Sequence, residues 1–80
     1  MGHKRPRPVY LAEKLLQIRK VLGLSPPQLA KRLNCGINYN FVHKYEKNIN
    51  EPPLMVLLAY SRASKIPLEN IIDDDLDLFD

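Results

Sequence analysis

Eighty residues make one small domain with a single core, and a hydrophobic content of 45% is enough for a helical bundle. The single cysteine excludes an internal disulfide framework and suits a reducing cytoplasm, and no apolar run approaches membrane-spanning length or forms a signal-peptide core after the basic start. Net charge is +3 but unevenly spread: residues 66–80 hold six of the nine acids and no Lys or Arg, so residues 1–65 carry 12 basic and 3 acidic groups.

Residues 1–8, MGHKRPRP, are basic and broken by proline, so they read as a flexible arm and not as an element. Lys4, Arg5 and Arg7 are candidate phosphate contacts, along a duplex backbone or in an adjacent minor groove. A tail that only raises non-specific affinity is an equal reading. The first helix is expected from about Val9 to Leu22, with Leu11, Leu15, Ile18 and Leu22 as its buried stripe and Gly23 as the residue that ends it. Lys14 and Lys20 read as solvated surface; Arg19 lies one position off the stripe.

Leu24 to Glu46 reads as two short helices joined by a tight turn. Ser25-Pro-Pro-Gln28 is a capping box with proline at the first helical position, and Leu24 with Leu29 forms a hydrophobic staple. Leu29, Ala30 and Leu33 share one face, with Lys31 and Arg32 on the other. Asn34-Cys35-Gly36 breaks the pattern, Gly36 being suited to positive φ. Asn38 is the next cap, and the following helix spans Tyr39 to Glu46 with Val42, Tyr45 and Ile49 assigned to the core side. Its outer face carries Tyr39, Asn40, His43, Lys44 and Lys47. Asn40 has the chemistry to bond an adenine edge, and His43 or Lys44 to reach a guanine O6 or N7. Phe41 either meets a thymine methyl or folds into the core. Base-reading candidates are therefore Tyr39, Asn40, Phe41, His43 and Lys44. Phosphate candidates, beside the arm, are Gln28, Asn38, Lys47, Asn48 and Asn50. A solvated polar face is the plainer reading of the same residues, and the capped helix pair around them argues against it.

Pro52-Pro53 opens a fourth helix to about Ser64, with Leu54, Leu57, Leu58 and Ser61 on one face; Met55 and Tyr60 lie off it and read as partly buried surface, ahead of contacts with another subunit. Pro67 begins a last helix with Leu68, Ile71 and Ile72 turned inward. Residues 73–80, DDDLDLFD, have too much charge and too little apolar surface to fold alone, so an acidic tail is expected. Its alternatives are a short motif for a protein partner, since L-D-L-F looks like the sliding-clamp docking motif of bacterial proteins without its leading Gln, or an autoinhibitory strip over the basic face. Cys35, His3 and His43 match no zinc spacing, and no nucleophile, base and orienter set is visible. No metal, cofactor, small-molecule substrate, membrane partner or enzymatic activity is expected.

Residues 11–72 resemble the Cro/C1 (lambda-repressor-like, XRE) family of helix-turn-helix domains in Arg19, Leu24-Ser25, Leu29-Ala30, Leu33, Val42, Glu46, Pro52, Leu54, Leu57-Leu58, Ala63 and Leu68 to Ile72. The chain departs from the family in Pro26, where a Gln is usual, and in a longer turn around Asn34-Cys35. The resemblance implies an all-α, compact five-helix domain over residues 9–72 whose helices 2 and 3 form the motif. It also implies a pair between Arg19 and Glu46 that orients the recognition helix, and a dimer contact near the last helix. The expected function is sequence-specific double-stranded DNA binding by a repressor-like transcriptional regulator, a homodimer in a bacterial or phage-type cytoplasm, on the nucleoid when bound. The runner-up is a protein-interaction module on the same fold, antitoxin-like or an adaptor, acting partly through the acidic end.

Overall fold

The computed structural model describes residues 8–79, and over these it forms five α-helices and no strand: α1 (Leu11–Leu22), α2 (Pro26–Leu33), α3 (Tyr39–Glu46), α4 (Leu54–Ser64) and α5 (Leu68–Ile72). α1 packs on α3, α4 and α5, while α2 packs on α3 and α4, and α4 on α5. The arm residues Lys4, Arg5 and Arg7 lie outside the described residues.

Local chemistry sets most of the boundaries. Ser25 Oγ accepts from the Gln28 amide, and Gln28 Oε1 accepts from the Ser25 amide, so both halves of the capping box are made. Asn38 Oδ1 accepts from the Asn40 amide at the start of α3. Gly23 ends α1 at φ 71°, and the turn between α2 and α3 uses two positive-φ residues, Asn34 at 50° and Gly36 at 83°. Asparagine tolerates that region better than most non-glycine residues, so the turn takes two left-handed steps where the sequence pointed to Gly36 alone.

One core joins all five helices. Leu11, Leu15 and Ile18 of α1 meet Leu29, Ala30 and Leu33 of α2, Val42 and Tyr45 of α3, Val56, Leu57 and Tyr60 of α4, then Ile66, Ile71 and Leu78. Fully burying an aliphatic side chain of this kind contributes roughly 1.5–3 kcal/mol before the entropy of ordering it.

Several expectations are corrected. The buried face of α4 is Val56, Leu57 and Tyr60; Leu54 is 66% exposed, and Tyr60, read as partly buried surface, is fully buried. The stretch LMVLLAY is apolar on every side, so periodicity cannot choose the face. Ile49 is 60% exposed, because the chain leaves the helix at Lys47 and Asn48 turns it at φ 60°. Ile72, expected inward, is exposed as well. α1 starts at Leu11, two residues later than expected.

The largest difference concerns the acidic end. Residues 73–79 lie against the body, with Leu78 buried in the common core. Lys14, expected on the surface, is itself buried, and its Nζ donates to three main-chain carbonyls: Asn70 at 2.8 Å, Asp73 at 2.9 Å and Leu76 at 2.7 Å. An ammonium has three donors, so this seat uses all of them. No side chain caps α1, but Asp74 fixes the turn that leads into it: its carboxylate accepts from the amides of Val9 at 2.8 Å and Tyr10 at 3.1 Å. Those two bonds, with the nearby charge of Lys14 as a smaller cause, hold its pKa below the ordinary carboxylate value. Among the described residues, the segment bonds outward to Val9 and Tyr10 before α1, to Lys14 of α1 and to Asn70 of α5, on the side of the body away from a strip over α3.

Candidate functional site

α3 turns Val42 and Tyr45 into the core, and that choice fixes what faces out. Tyr39, Asn40, Phe41, His43, Lys44 and Lys47 are all exposed, spread over the two turns of the helix. Asn40, His43, Lys44 and Lys47 line one shallow surface together with Ile49. The structure therefore brings four of the sequence candidates into a continuous strip of amide, imidazole and ammonium groups.

The aromatic residues on this helix are ordered by their neighbours. Tyr39 and His43 meet edge to face, ring centres 6.0 Å apart, as residues four apart on a helix can. Phe41 is 40% exposed, not buried; its ring centre lies 6.2 Å from that of Tyr45, and Lys44 Nζ sits 5.7 Å above it. Phe41 leans toward the loop after the helix, where it lines a surface with Tyr45, Ile49, Asn50 and Glu51.

Behind the strip, Arg19 holds the end of α3. Its Nε donates to Glu46 Oε2 at 2.7 Å and its Nη2 to Oε1 at 3.1 Å, while Nη1 donates to the Leu24 carbonyl at 3.1 Å. Both side chains are largely buried, at 18% and 7% exposure. The fork fixes direction as well as distance, so α1, the start of α2 and the end of α3 are tied through one guanidinium. The hydrogen bond to Glu46 raises the Arg19 pKa above its already high ordinary value. Because Glu46 is the only acid on α3 and is taken by Arg19, the side-chain charge left there is that of Lys44, with Lys47 just after the last turn.

The remaining candidates divide. Gln28 and Asn38 spend their side-chain oxygens on helix starts. Lys47 caps the end of α3 through its backbone amide, which donates to the His43 carbonyl, and leaves its ammonium outward. The loop folds back on the helix, the Lys44 carbonyl accepting from Ile49 and Asn50 amides, which places Asn48 and Asn50 beside the strip's C-terminal end.

Next to this site lies a buried polar group that sequence reasoning missed. The Tyr60 hydroxyl is buried without a hydrogen-bond partner among the described residues. Burial pushes its pKa well above the ordinary tyrosine value, with Glu46 and Tyr45 adding to the rise. Lys14 was missed too, although a signal existed: it stands three residues after Leu11 and four before Ile18, on the buried stripe.

Among the described residues no group of three or more His, Cys, Asp or Glu side chains is arranged to hold a metal ion, and no helix is long and apolar enough to cross a membrane. No family model, curated protein or solved structure matches the chain. Over its described residues the chain is an all-α, five-helix domain with a polar, cationic strip on its third helix.

Proposed function

We propose that the chain is a sequence-specific double-stranded-DNA-binding protein, a repressor-like regulator of the lambda-repressor helix-turn-helix type. α2 and α3 are the two helices of the motif, and α3 is the one that enters the major groove. The observation that carries this reading is the outward strip Asn40–His43–Lys44–Lys47, on a short helix whose start is capped by Asn38 and whose end is clamped to Arg19. A major groove about 12 Å wide admits one helix, and specificity there needs side chains that keep their direction. Asn40 supplies an amide for an adenine edge, and Lys44 or His43 a donor for guanine. Lys47, Asn48 and Asn50 serve phosphates as the chain leaves the helix, which positions the protein without reading sequence. A single short helix binds weakly at physiological salt, so the proposal includes a homodimer on two half-sites.

The test is selection from a random duplex library at ~150 mM salt, scored by sequence enrichment. The expected outcome is an enriched palindrome, whose half-site spacing gives the dimer geometry. An enriched single half-site would keep DNA reading and remove the dimer. Weak, salt-sensitive binding with no enrichment would overturn the proposal in favour of an interaction module on this fold.

A further inference from the structure

The groove between α2 and α4 shares no residue with the strip on α3. It is an open depression of about 590 Å³, lined by Arg32, Cys35, Met55, Leu58, Arg62 and Ala63 among others. We propose that this groove is a docking surface for an acidic amphipathic segment of a partner protein.

Two features of the groove define that occupant. The first is its apolar floor. Met55, Leu58 and Arg62 recur at positions i, i+3 and i+7 of α4, beside the face that α4 buries in the core. Met55 is 66% exposed, although it belongs to a helix whose neighbouring turns are packed. A flexible thioether on an open apolar floor adapts to a partner's side chains. The second feature is charge. Arg32 and Arg62 both stand exposed at the groove, neither forms an ion pair among the described residues, and no carboxylate lines it. A guanidinium fork matches a carboxylate in two parallel hydrogen bonds. An apolar stripe flanked by carboxylates is therefore the complement of this surface.

Duplex DNA fits it less well. Phosphate contacts need donors along a backbone and gain nothing from a Met, Leu and Ala floor. A second copy of this chain also fits less well. Its acidic, apolar stretch is residues 73–79, and there Leu78 is buried and Asp74 is engaged at the start of α1 in its own protomer.

The experiment uses the full chain, isotope-labelled, and a synthetic amphipathic helix of about 18 residues, ~27 Å long, with a leucine stripe flanked by glutamates. The comparison peptide has lysines in their place. The glutamate peptide is expected to shift backbone amides of Arg32–Cys35 and Met55–Ala63 and leave those of Tyr39–Lys47 in place. Arg62→Glu should weaken this binding at least tenfold, and so should Met55→Glu, which tests the floor without touching an arginine. Both positions are exposed, and unchanged helical circular dichroism checks that each variant folds. Because Cys35 is the only cysteine, a glutamate peptide carrying an activated thiol should form a disulfide there faster than its lysine counterpart. Equal binding of both peptides, shifts elsewhere, or no shift at ~1 mM peptide would overturn the proposal. So would duplex DNA shifting these amides, or self-association of the chain that perturbs the same set.

Discussion

Two lysines on neighbouring helices show how differently this molecule uses one side chain. Lys14 is buried, and its ammonium is consumed by three main-chain carbonyls, those of Asn70 in α5 and of Asp73 and Leu76 in the C-terminal segment. Lys44 is exposed on α3 and leans over Phe41, with no carboxylate partner on its helix. An ammonium whose three donors are all spent inside the fold holds architecture together; one left at the surface is available to something else. The same contrast separates the two regions. The seat of residues 73–79 engages the Lys14 ammonium and the Asp74 carboxylate within the fold, while the strip on α3 turns its amide, imidazole and ammonium groups toward solvent.

The comparison is tested most severely at Lys14. Lys14→Met removes three charge-assisted hydrogen bonds, with the Asp73 carbonyl keeping a bond from the Leu76 amide, at a cost of about 3 kcal/mol. In a domain of this size the midpoint of thermal unfolding should fall by roughly 12–24 °C. Amide exchange in residues 73–79 should accelerate at the same time. A variant as stable as the parent would mean that the seat adds nothing.

On the other region, Asn40→Ala should leave stability within about 0.5 kcal/mol, because an exposed side chain is lost. Against a selected operator it should lose roughly 1–3 kcal/mol of discrimination, read as relaxed sequence preference in competition binding. Unchanged preference would remove Asn40 from base reading while leaving the fold as described.

Tyr60 supplies a third case, a polar group that is buried and, among the described residues, unpaired. Tyr60→Phe keeps the ring and deletes the hydroxyl, so it should stabilise the chain by about 1 kcal/mol. A loss of stability on denaturant titration would show that the hydroxyl finds a partner in solution.

The smallest effect concerns Asp74. Its pKa is lowered in the folded chain, so its contribution is present above the ordinary value of 3.8 and is lost as pH falls through the folded value. Urea midpoints should therefore drop below about pH 4 in the parent, and the drop should be shallower in Asp74→Asn. Parallel profiles would mean that the bonds to Val9 and Tyr10 do not survive in solution.

Much of the α2–α3 region was legible before any coordinates. Ser25 and Gln28, Asn38, Gly23 and Gly36 act within a few residues of themselves, and each does in the structure what its chemistry suggests. The pairing of Arg19 with Glu46 was different: it came from a family resemblance, since nothing in either residue alone points to a partner 27 positions away. Elsewhere the pattern lacked contrast. α4 is apolar all round, and only its packing against α1, α2 and α5 selects Val56, Leu57 and Tyr60 over Leu54.

The acidic end marks the limit most clearly. Composition alone says that DDDLDLFD carries too much charge and too little apolar surface to fold by itself. What composition does not contain is the seat built for it, a lysine 59 to 62 residues away and the amides of Val9 and Tyr10 just before α1. By itself the sequence determined the helix starts, the turns and the polar outer face of α3, because capping, φ preference and periodicity are settled among near neighbours. Only the tertiary structure decided which face of α4 is core, that Tyr60 is buried, and that Lys14 and Asp74 fasten the C-terminal segment to α1. Those outcomes depend on groups far apart in the chain, and burial and hydrogen bonding select among them only once the helices have packed.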